Sequence, residues 1–382
     1  MNHLDKLISQ YCPNGVQWKK LGDISVISIG EFVHKDKQNP MGKYPVYNGG
    51  VSYTGFYDQF NNTAHKIVIS ARGSCGFVNR VDVDYWAGNS SYSVDVSLTI
   101  ANWVFVYYYL KQYQGQLMSE RQQGGGVPAI SKKQVEDISI PLPPLPVQQE
   151  IVRILDSMTA LIANLDSEIA PRQQQYAHYR DFWICKQNYK QVPFASLGEL
   201  VRGKRFVRTD IVNSGIPCIH YGDMYTHYGV IAYDTPTYLH GDIVSKMRYA
   251  QKGDVVIVGA GENNEDIGVG VAWMGDKPVA VHDACYILSH KQNATYISYY
   301  LRTAMYHNLI KKIVVDGKIC SFPLSRLGKI TIPLPPISVQ QEIVAKLDAF
   351  ESLLANLRRE RTLRQQQYEY YRERLLSFKE TK

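Results

Sequence analysis

Apolar residues recur every three or four positions along two long stretches of the chain. The first stretch runs from Ile151 to Tyr179 and the second from Ile343 to Phe378. This spacing is typical of an α-helix with one wide apolar face. Each stretch follows a proline-rich segment, and proline disfavours helix in the residue before it. The pattern therefore predicts two helices of about 38 residues, each roughly 55–60 Å long.

The two predicted helices are copies of one sequence. Residues 138–149 read ISIPLPPLPVQQ and residues 330–341 read ITIPLPPISVQQ. The offset between them is kept further along, where LIANL becomes LLANL and RQQQY recurs. An ungapped match over roughly 45 residues indicates an internal duplication. The chain thus reads as a divergent segment, a helix, a second divergent segment and a second helix.

Helices of this length need a partner for their apolar face, because an isolated helix is only marginally stable in water. If the second helix packs on the first, connectivity makes it run back towards the first divergent segment. This predicts an antiparallel coiled coil and a pseudo-two-fold relation between the halves. Two unrelated helices, each packed on its own domain, are the alternative, which gives no reason for the similarity of the copies. Pro171 lies inside the first helix and predicts a kink or a break there.

The divergent segments combine short apolar runs with Gly, Pro and Asn clusters, which is typical of α/β domains. The predicted strands are Lys66–Ser70, Ser93–Ser97, Val104–Tyr109, Asp254–Val258 and Val269–Trp273. The predicted fold class is α+β, with two α/β domains separated by two long antiparallel helices. The predicted boundaries are 1–140 for the first domain, 141–186 for the first helix, 187–332 for the second domain and 333–382 for the second helix.

Composition and charge narrow the choice of function. The chain has 382 residues with 45% hydrophobic and 20% charged residues, which is ordinary for a globular protein. It has no apolar run long enough to span a bilayer and no secretory signal, so we expect a cytoplasmic protein. The six cysteines are widely spaced and predict reduced thiols. The net charge of +7 sits mainly in the two divergent segments and favours a polyanionic partner, although ordinary surface charge remains an alternative.

Motifs for catalysis are missing from the sequence. A P-loop signature is absent, and Gly259-Ala260-Gly261 is followed by the acidic Glu262, which would repel a phosphate. The Pro-Pro pairs lack the flanking residues of an amino-methyltransferase loop, and no spacing indicates a nucleophile or a metal site. We therefore expect neither an enzyme nor a bound cofactor.

The duplicated motif carries a family resemblance. I-x-I-P-L-P-P-x-x-x-Q-Q-E-I-V-x-x-L-D occurs twice, each time before a long helix, and resembles the conserved regions of the specificity (S) subunit of type I restriction–modification systems. Cys12–Ile24 and Val201–Val207 resemble the starts of that family's target recognition domains. The resemblance implies two such domains, each reading one half of an asymmetric bipartite site in double-stranded DNA. It also implies a coiled coil that sets the gap.

The same resemblance implies the partners. The helices would dock two methyltransferase (M) subunits, which would carry S-adenosylmethionine, and restriction (R) subunits are expected in the complex. The residues predicted to form the coiled coil or the docking surface are Gln148, Gln149, Ile151, Leu155, Leu165, Gln173, Tyr176, Gln340, Gln341, Ile343, Leu347, Leu357, Gln365 and Tyr368. A purely structural role for the repeated polar residues stays open.

Polar and basic residues in loop-like stretches are the candidates for DNA contact, because such side chains bind phosphates and base edges. They are Lys35, Lys37, Lys43, Asn48, Arg72, Ser74, Arg80, Arg121 and Gln122 in the first domain, and Arg202, Lys204, Arg205, Arg208, Tyr221, Tyr225 and Arg248 in the second. Arg202–Arg208 contains four cations and is the strongest candidate for phosphate contact. For each residue, a solvated surface side chain is the alternative.

Overall fold

The chain forms two compact units, each of which combines one divergent segment with part of both long helices. Unit 1 comprises Met1–Asp166 and Arg359–Lys382, and unit 2 comprises Ser167–Arg358. The computed structural model describes residues 3–119, 129–186, 188–261, 267–315, 317 and 319–381.

Unit 1 is built from short strands around two longer helices. Its helices are α1 (His3–Tyr11), α2 (Leu21–Ile24), α3 (Trp103–Ser119), α4 (Lys132–Glu136) and the first part of α5 (Leu145–Ile184). Its strands are β1 (Gln17–Lys20), β2 (Ser25–Ile29), β3 (Tyr44–Tyr47), β4 (Gly55–Tyr57), β5 (Lys66–Ser70), β6 (Val78–Val81), β7 (Trp86–Ala87), β8 (Ser91–Val96) and β9 (Ser139–Leu142). A 3-10 turn spans Lys35–Lys37.

The strands of unit 1 form two main sheets and one isolated pair. The order is β2-β8-β5-β6 in an antiparallel sheet and β4-β3-β7 in a mixed sheet, while β1 pairs with β9. The apolar run of β5 explains its central place, because Ile67, Val68 and Ile69 are all buried. The core continues through Phe105 of α3 to Leu155 of α5.

Unit 2 has the same plan with more strands. Its helices are α6 (Asp223–Thr226), α7 (Ala294–Tyr300), α8 (Ala304–Lys311), α9 (Leu324–Leu327), the last part of α5 and the first part of α10 (Ile337–Leu375). Its strands are β10 (Gln191–Pro193), β11 (Gly198–Arg202), β12 (Ile211–Val212), β13 (Ile216–Ile219), β14 (Ile231–Ala232), β15 (Thr237–Leu239), β16 (Tyr249–Ala250), β17 (Val255–Val258), β18 (Ala260–Gly261), β19 (Gly270–Trp273), β20 (Val279–Val281), β21 (Cys285–His290), β22 (Cys320–Ser321) and β23 (Thr331–Pro333). The 3-10 turns are Phe194–Ser196, Arg208–Asp210 and Gly241–Lys246.

Two five-stranded sheets dominate unit 2. Their orders are β11-β21-β17-β19-β14 and β12-β15-β13-β20-β16, and the pairs β10-β23 and β18-β22 complete the unit. Helix α7 covers the first sheet with seven buried residues. Ile343 and Leu347 of α10 lie in the same core, so the helix is part of the unit it supports.

Within each unit the two long helices run antiparallel, as predicted. In unit 1 the Arg361 Nε donates to Asp166 Oδ1 at 3.0 Å, while Tyr368 shares the core with Leu155. In unit 2 the rings of Phe350 and Tyr179 lie 5.7 Å apart. The next turn brings Lys346 Nζ to 5.6 Å from the Trp183 ring. Later positions on α5 thus meet earlier positions on α10.

Both proline-rich segments attach the α/β part of their unit to the following helix. In unit 1 β9 pairs with β1, with Pro141 opposite Trp18. In unit 2 β23 pairs with β10 in the same antiparallel manner, with Ile332 opposite Val192. The strand before each long helix is therefore paired with the first strand of the α/β part of its unit.

A buried glutamine in the first turn of each long helix repeats the attachment. Gln148 is 1% exposed, and its side chain donates to the Pro143 carbonyl at 2.7 Å and accepts from the Asn102 N–H at 2.8 Å. Gln340 makes the same bonds to Pro335 at 2.8 Å and to Asn293 at 3.1 Å. Both glutamines are enclosed in their own unit, which corrects the docking interpretation for these two residues.

The two asparagines continue the connection into the α/β part. The Asn102 side chain accepts from the N–H of Val104 at the start of α3, and the Asn293 side chain accepts from the N–H of Tyr296 in α7. Each glutamine therefore binds a residue that caps a helix, and capping satisfies N–H groups that the helix itself leaves unpaired.

A tyrosine–aspartate hydrogen bond completes each attachment. Tyr108 Oη donates to Asp156 Oδ1 and Tyr299 Oη donates to Asp348 Oδ1, both at 2.6 Å. The tyrosines lie on the helices that the asparagines cap. The sequence signal that could have revealed them is Tyr-Tyr-Leu, which occurs at 108–110 and again at 299–301.

The structure corrects two local expectations. Val104–Tyr109, predicted as a strand, belongs to α3, because Asn102 caps this segment and burial on most sides hides the helical period. Pro171 does not break α5, which is continuous over 40 residues, close to the predicted length. The predicted strands in β5, β8, β17 and β19 are confirmed.

Replacing Gln148 by leucine tests the glutamine attachment. Gln148→Leu leaves the Asn102 N–H and the Pro143 carbonyl buried without a partner, at about 1–3 kcal/mol for each group. We expect the urea midpoint of unit 1 to fall clearly. Gln149→Leu, one residue along at an exposed position, is the control and should shift the midpoint little. Equal losses of stability in the two variants would contradict a specific role for Gln148.

Candidate nucleic-acid interface

Three loops of unit 1 meet around Asn48 and Gly49. Asn48 Oδ1 accepts from the Ser90 N–H at 3.1 Å, and the Gly49 N–H donates to Ser91 Oγ at 3.0 Å. The Ser74 N–H donates to the Gly49 carbonyl at 2.8 Å. These bonds bring together Asn48, Arg72 and Ser74, which the sequence analysis had proposed separately.

Glycine is required where these loops cross. Gly49 has φ +78°, and a Cβ on it would stand 2.5 Å from the Arg72 carbonyl oxygen. Gly73 has φ +72°, and its Cβ would stand 2.8 Å from the Gly49 carbonyl oxygen. Since L side chains rarely adopt this backbone region, the two glycines hold the loop carrying Arg72 against the loop carrying Asn48.

A groove of about 1190 Å³ lies next to this crossing and is lined by Phe32, Lys35, Asn48 and Phe56, among others. The 3-10 turn places both Lys35 and Lys37 on the surface. Lys43 also lies on the surface, with its Nζ 5.2 Å from the Tyr44 ring. Unit 1 therefore combines a groove with exposed cations, and the acidic Asp36 lines the same groove.

Arg80 lies in a different place from the other candidates of unit 1. Its guanidinium forms ion pairs with Asp82 and with Asp156 of α5, each at 2.9 Å, and lies 5.4 Å from the Trp103 ring. Asp156 is also the acceptor for Tyr108. Arg80 thus strengthens the attachment between sheet and helix, and its charge is already matched by two carboxylates.

Unit 2 has a cavity of about 440 Å³, and its lining includes Arg202, Arg205, Phe206, Tyr221 and His282. The Phe206 and His282 rings lie 4.7 Å apart, and the Tyr221 ring lies 5.8 Å from His282. Burial lowers the pKa of His282, so this imidazole is neutral at pH 7. The cavity therefore has aromatic walls and a basic rim.

The cations around this cavity divide into two groups. Arg202 Nε donates to the Asp283 carbonyl at 2.5 Å, and Arg248 Nη1 donates to the Arg202 carbonyl at 2.6 Å. Lys204, Arg205 and Arg208 are exposed, and their side chains form no hydrogen bond or ion pair with any residue that the structure describes. The first pair therefore fixes the loop, while the other three cations are exposed in the part of the chain that the structure describes.

Three candidates remain, of which the structure describes one. The Tyr225 hydroxyl lies against Gly261, where a side chain would collide with it, so Tyr225 packs inside unit 2. Arg121 and Gln122 lie outside the described residues.

The helix candidates separate by burial. Those buried in the unit cores or in the attachments are Gln148, Ile151, Leu155, Leu165, Gln340, Ile343, Leu347 and Tyr368. Those partly buried are Tyr176, Leu357 and Gln365, and those exposed are Gln149, Gln173 and Gln341. The buried residues hold the helices to their units.

A pair of exposed leucines on the helices was not predicted as a contact surface from the sequence. Leu161 is 39% exposed and Leu353 is 40% exposed. They occupy the first position of LIANL in one copy and of LLANL in the other. Each unit thus presents the same apolar side chain at the same place.

The described part of the chain contains no helix of the length and apolarity needed to cross a membrane. Among the same residues, no group of three or more His, Cys, Asp or Glu side chains is arranged to hold a metal ion.

The two units are attached to the long helices in the same way but carry different basic loops. This combination defines a duplicated binding scaffold. The family described as type I restriction modification DNA specificity domain matches residues 13–170 and 186–364. The chain belongs to this family, that of the type I specificity subunits.

Relatives and solved structures agree over nearly the whole length. The chain is 26% identical to a putative type I restriction enzyme specificity subunit of Haemophilus influenzae, over 95% of this chain and 96% of the relative. It is also 26% identical to the specificity subunit of a type I restriction enzyme from Escherichia coli, over 99% of this chain and 97% of that relative. The S subunit from M. genitalium has a similar fold, with a TM-score of 0.63 and 19% identity. The match covers 95% of this chain and 96% of that one. A chain from a structural study of complex assembly in the type I R-M system has a TM-score of 0.55 and 17% identity, with coverage of 95% of this chain and 97% of that chain.

Proposed function

We propose that this chain is the non-catalytic subunit that reads DNA for a type I restriction–modification complex. Each unit reads one half of an asymmetric bipartite site in double-stranded DNA, and the long helices set the gap. The observation that carries the proposal is the contrast between the attachments, which are the same in both units, and the loops, which differ. A duplicated support with unlike loops suits two different half-sites.

Loop cations supply the electrostatic part of binding. Lys35, Lys37 and Arg72 in unit 1 are exposed beside the groove and the loop crossing. Lys204, Arg205 and Arg208 in unit 2 are exposed beside the cavity. Cations of this kind release counterions when they contact phosphates, which makes affinity depend steeply on salt. Base edges are then read by side chains held on these loops.

Two M subunits dock on the helices in this proposal. Leu161 and Leu353 offer one apolar contact each, at equivalent positions and with nearly equal exposure. Two copies of one surface suit two copies of one partner. S-adenosylmethionine binds to those partners, which carry the methyl transfer. The R subunits join the same complex and carry cleavage.

Removing three cations from unit 2 tests the DNA contact. In the assembled complex we expect the triple variant Lys204→Ala, Arg205→Ala and Arg208→Ala to bind its DNA more weakly. The slope of log affinity against log salt should fall by about 0.9 for each phosphate that the variant no longer neutralises. Fluorescence anisotropy at several salt concentrations measures both quantities.

The matched control removes the same charge from the helix side of unit 2. Lys190, Lys291 and Lys329 are exposed. Lys190 directly precedes β10, Lys291 is next to Gln292, which bonds Gln340 of α10, and Lys329 lies two residues before β23. Their replacement by alanine should leave the salt slope unchanged. A control that lowers the slope as much as the loop variant would show that net charge, not the loop, controls binding.

Charged substitutions at the paired leucines test the docking surface. Leu161→Asp or Leu353→Asp should each release one M subunit, and the double variant should release both, because a carboxylate cannot be buried in an apolar contact without a partner. Native mass spectrometry counts the subunits. Leu363→Asp is the control, since Leu363 is exposed but corresponds to Pro171 in the other copy of the repeat. A double variant that still binds two M subunits would rule out these leucines as the contact.

A further inference from the structure

The groove of unit 1 is bordered by exposed apolar side chains. Phe32 is 59% exposed and Met41 is 89% exposed, and Val51 and Tyr53 are also more than half exposed. Soluble proteins rarely leave such a group uncovered unless the surface binds something.

Contacts place three of these side chains near the groove. Phe32 lines the groove itself, and the Tyr53 ring lies 5.0 Å from the ring of Phe56, which also lines it. The Asn39 N–H donates to the Phe56 carbonyl at 2.9 Å, which ties the loop carrying Met41 to the same strand. Two loops thus present apolar side chains at one groove.

Lys35 and Lys37 lie exposed on the loop that carries Phe32, beside the acidic Glu31 and Asp36, so charge alone does not select the ligand of this patch. The proposed function supplies the ligand, because side chains held on the loops of a DNA-reading unit face base edges. On the major-groove edge of DNA the one apolar group is the methyl of thymine, and apolar side chains contact it. Apolar side chains on such loops match a thymine-containing half-site.

The surface of unit 2 differs in the side chains around its cavity. Val207 and Ile319 line the cavity and are exposed, and Arg205, on the loop that Arg202 fixes, lines the same cavity. The Arg205 guanidinium forms no hydrogen bond or ion pair with a described residue. At a DNA surface such a guanidinium has one preferred base, because arginine donates two hydrogen bonds to O6 and N7 of guanine.

We propose that the two units read their half-sites by different chemistry. Unit 1 recognises a thymine methyl through Phe32 and Tyr53, and unit 2 recognises a guanine through Arg205. This inference rests on the proposed function and specifies which bases each unit selects.

The test uses the complex assembled with its M subunits, after its methylated motif has been mapped. Deoxyuridine replaces thymidine and removes only the methyl, and 7-deazaguanine replaces guanine and removes only the N7 acceptor. We expect deoxyuridine to weaken binding about 3-fold to 5-fold at one or more positions of one half-site, from the loss of about one buried methyl. We expect 7-deazaguanine to weaken binding about 5-fold or more in the other half-site.

Variants assign each effect to its unit. Arg205→Ala should lose the sensitivity to 7-deazaguanine and keep the sensitivity to deoxyuridine. Phe32→Ala and Tyr53→Ala should lose the sensitivity to deoxyuridine and keep the sensitivity to 7-deazaguanine. Tyr233→Ala removes an exposed aromatic side chain of unit 2 away from the cavity lining and should keep both sensitivities.

Three outcomes overturn the inference and leave the proposed function standing. In the first, neither analogue weakens binding to the bipartite motif. In the second, both analogues weaken binding in the same half-site. In the third, the Arg205, Phe32 or Tyr53 variant keeps the sensitivity that it is expected to lose. A complex that methylates no bipartite motif would instead contradict the proposed function itself.

Discussion

The buried glutamine at the start of each long helix is the interaction on which the arrangement of each unit depends. A side-chain amide enclosed in protein must find partners for its oxygen and its nitrogen, because an unpaired polar group costs about 1–3 kcal/mol. Gln148 finds them in the turn before its own helix and in Asn102, the residue that caps α3. One side chain therefore holds together the long helix, the turn before it and the α/β part. The hydrogen bond from Tyr108 of α3 to Asp156 of α5 connects the α/β part to the long helix a second time.

The second unit repeats this solution with Gln340, Asn293, Tyr299 and Asp348, although the α/β parts have diverged. Divergence is concentrated where the loops leave the sheets. Unit 1 has glycines that let two loops cross beside a groove, and unit 2 has an arginine-rich loop held by Asp283 beside an aromatic cavity. A fixed attachment allows the loops to vary without loss of the support, which is what a scaffold for two different ligand sites requires.

The repeat predicted most of the architecture, since a duplicated helical pattern with an unburied stripe leaves few ways to pack. Helix lengths and antiparallel direction followed from it, and several strands followed from the apolar runs of the divergent segments. Val104–Tyr109 was predicted wrongly, because a helix buried on most sides loses its periodicity and its β-branched and aromatic residues suggest a strand. The site was less predictable, since the partners that occupy Arg80 and Arg202 are Asp156 and Asp283, far along the chain. Both glutamines recur in the repeat, so the sequence could not show that Gln148 is buried in its unit while Gln149 is exposed. The structure makes that distinction.

The most direct test of the account is the methylation motif that this chain imposes on its partner. Co-expression with the M subunit, followed by single-molecule sequencing of the genome, should yield one asymmetric motif of two parts with an unread gap of fixed length. Exchange of residues 187–325 for the corresponding part of a relative should then change one part of the motif and leave the other intact. A short, continuous palindrome that still depends on this chain would contradict the account.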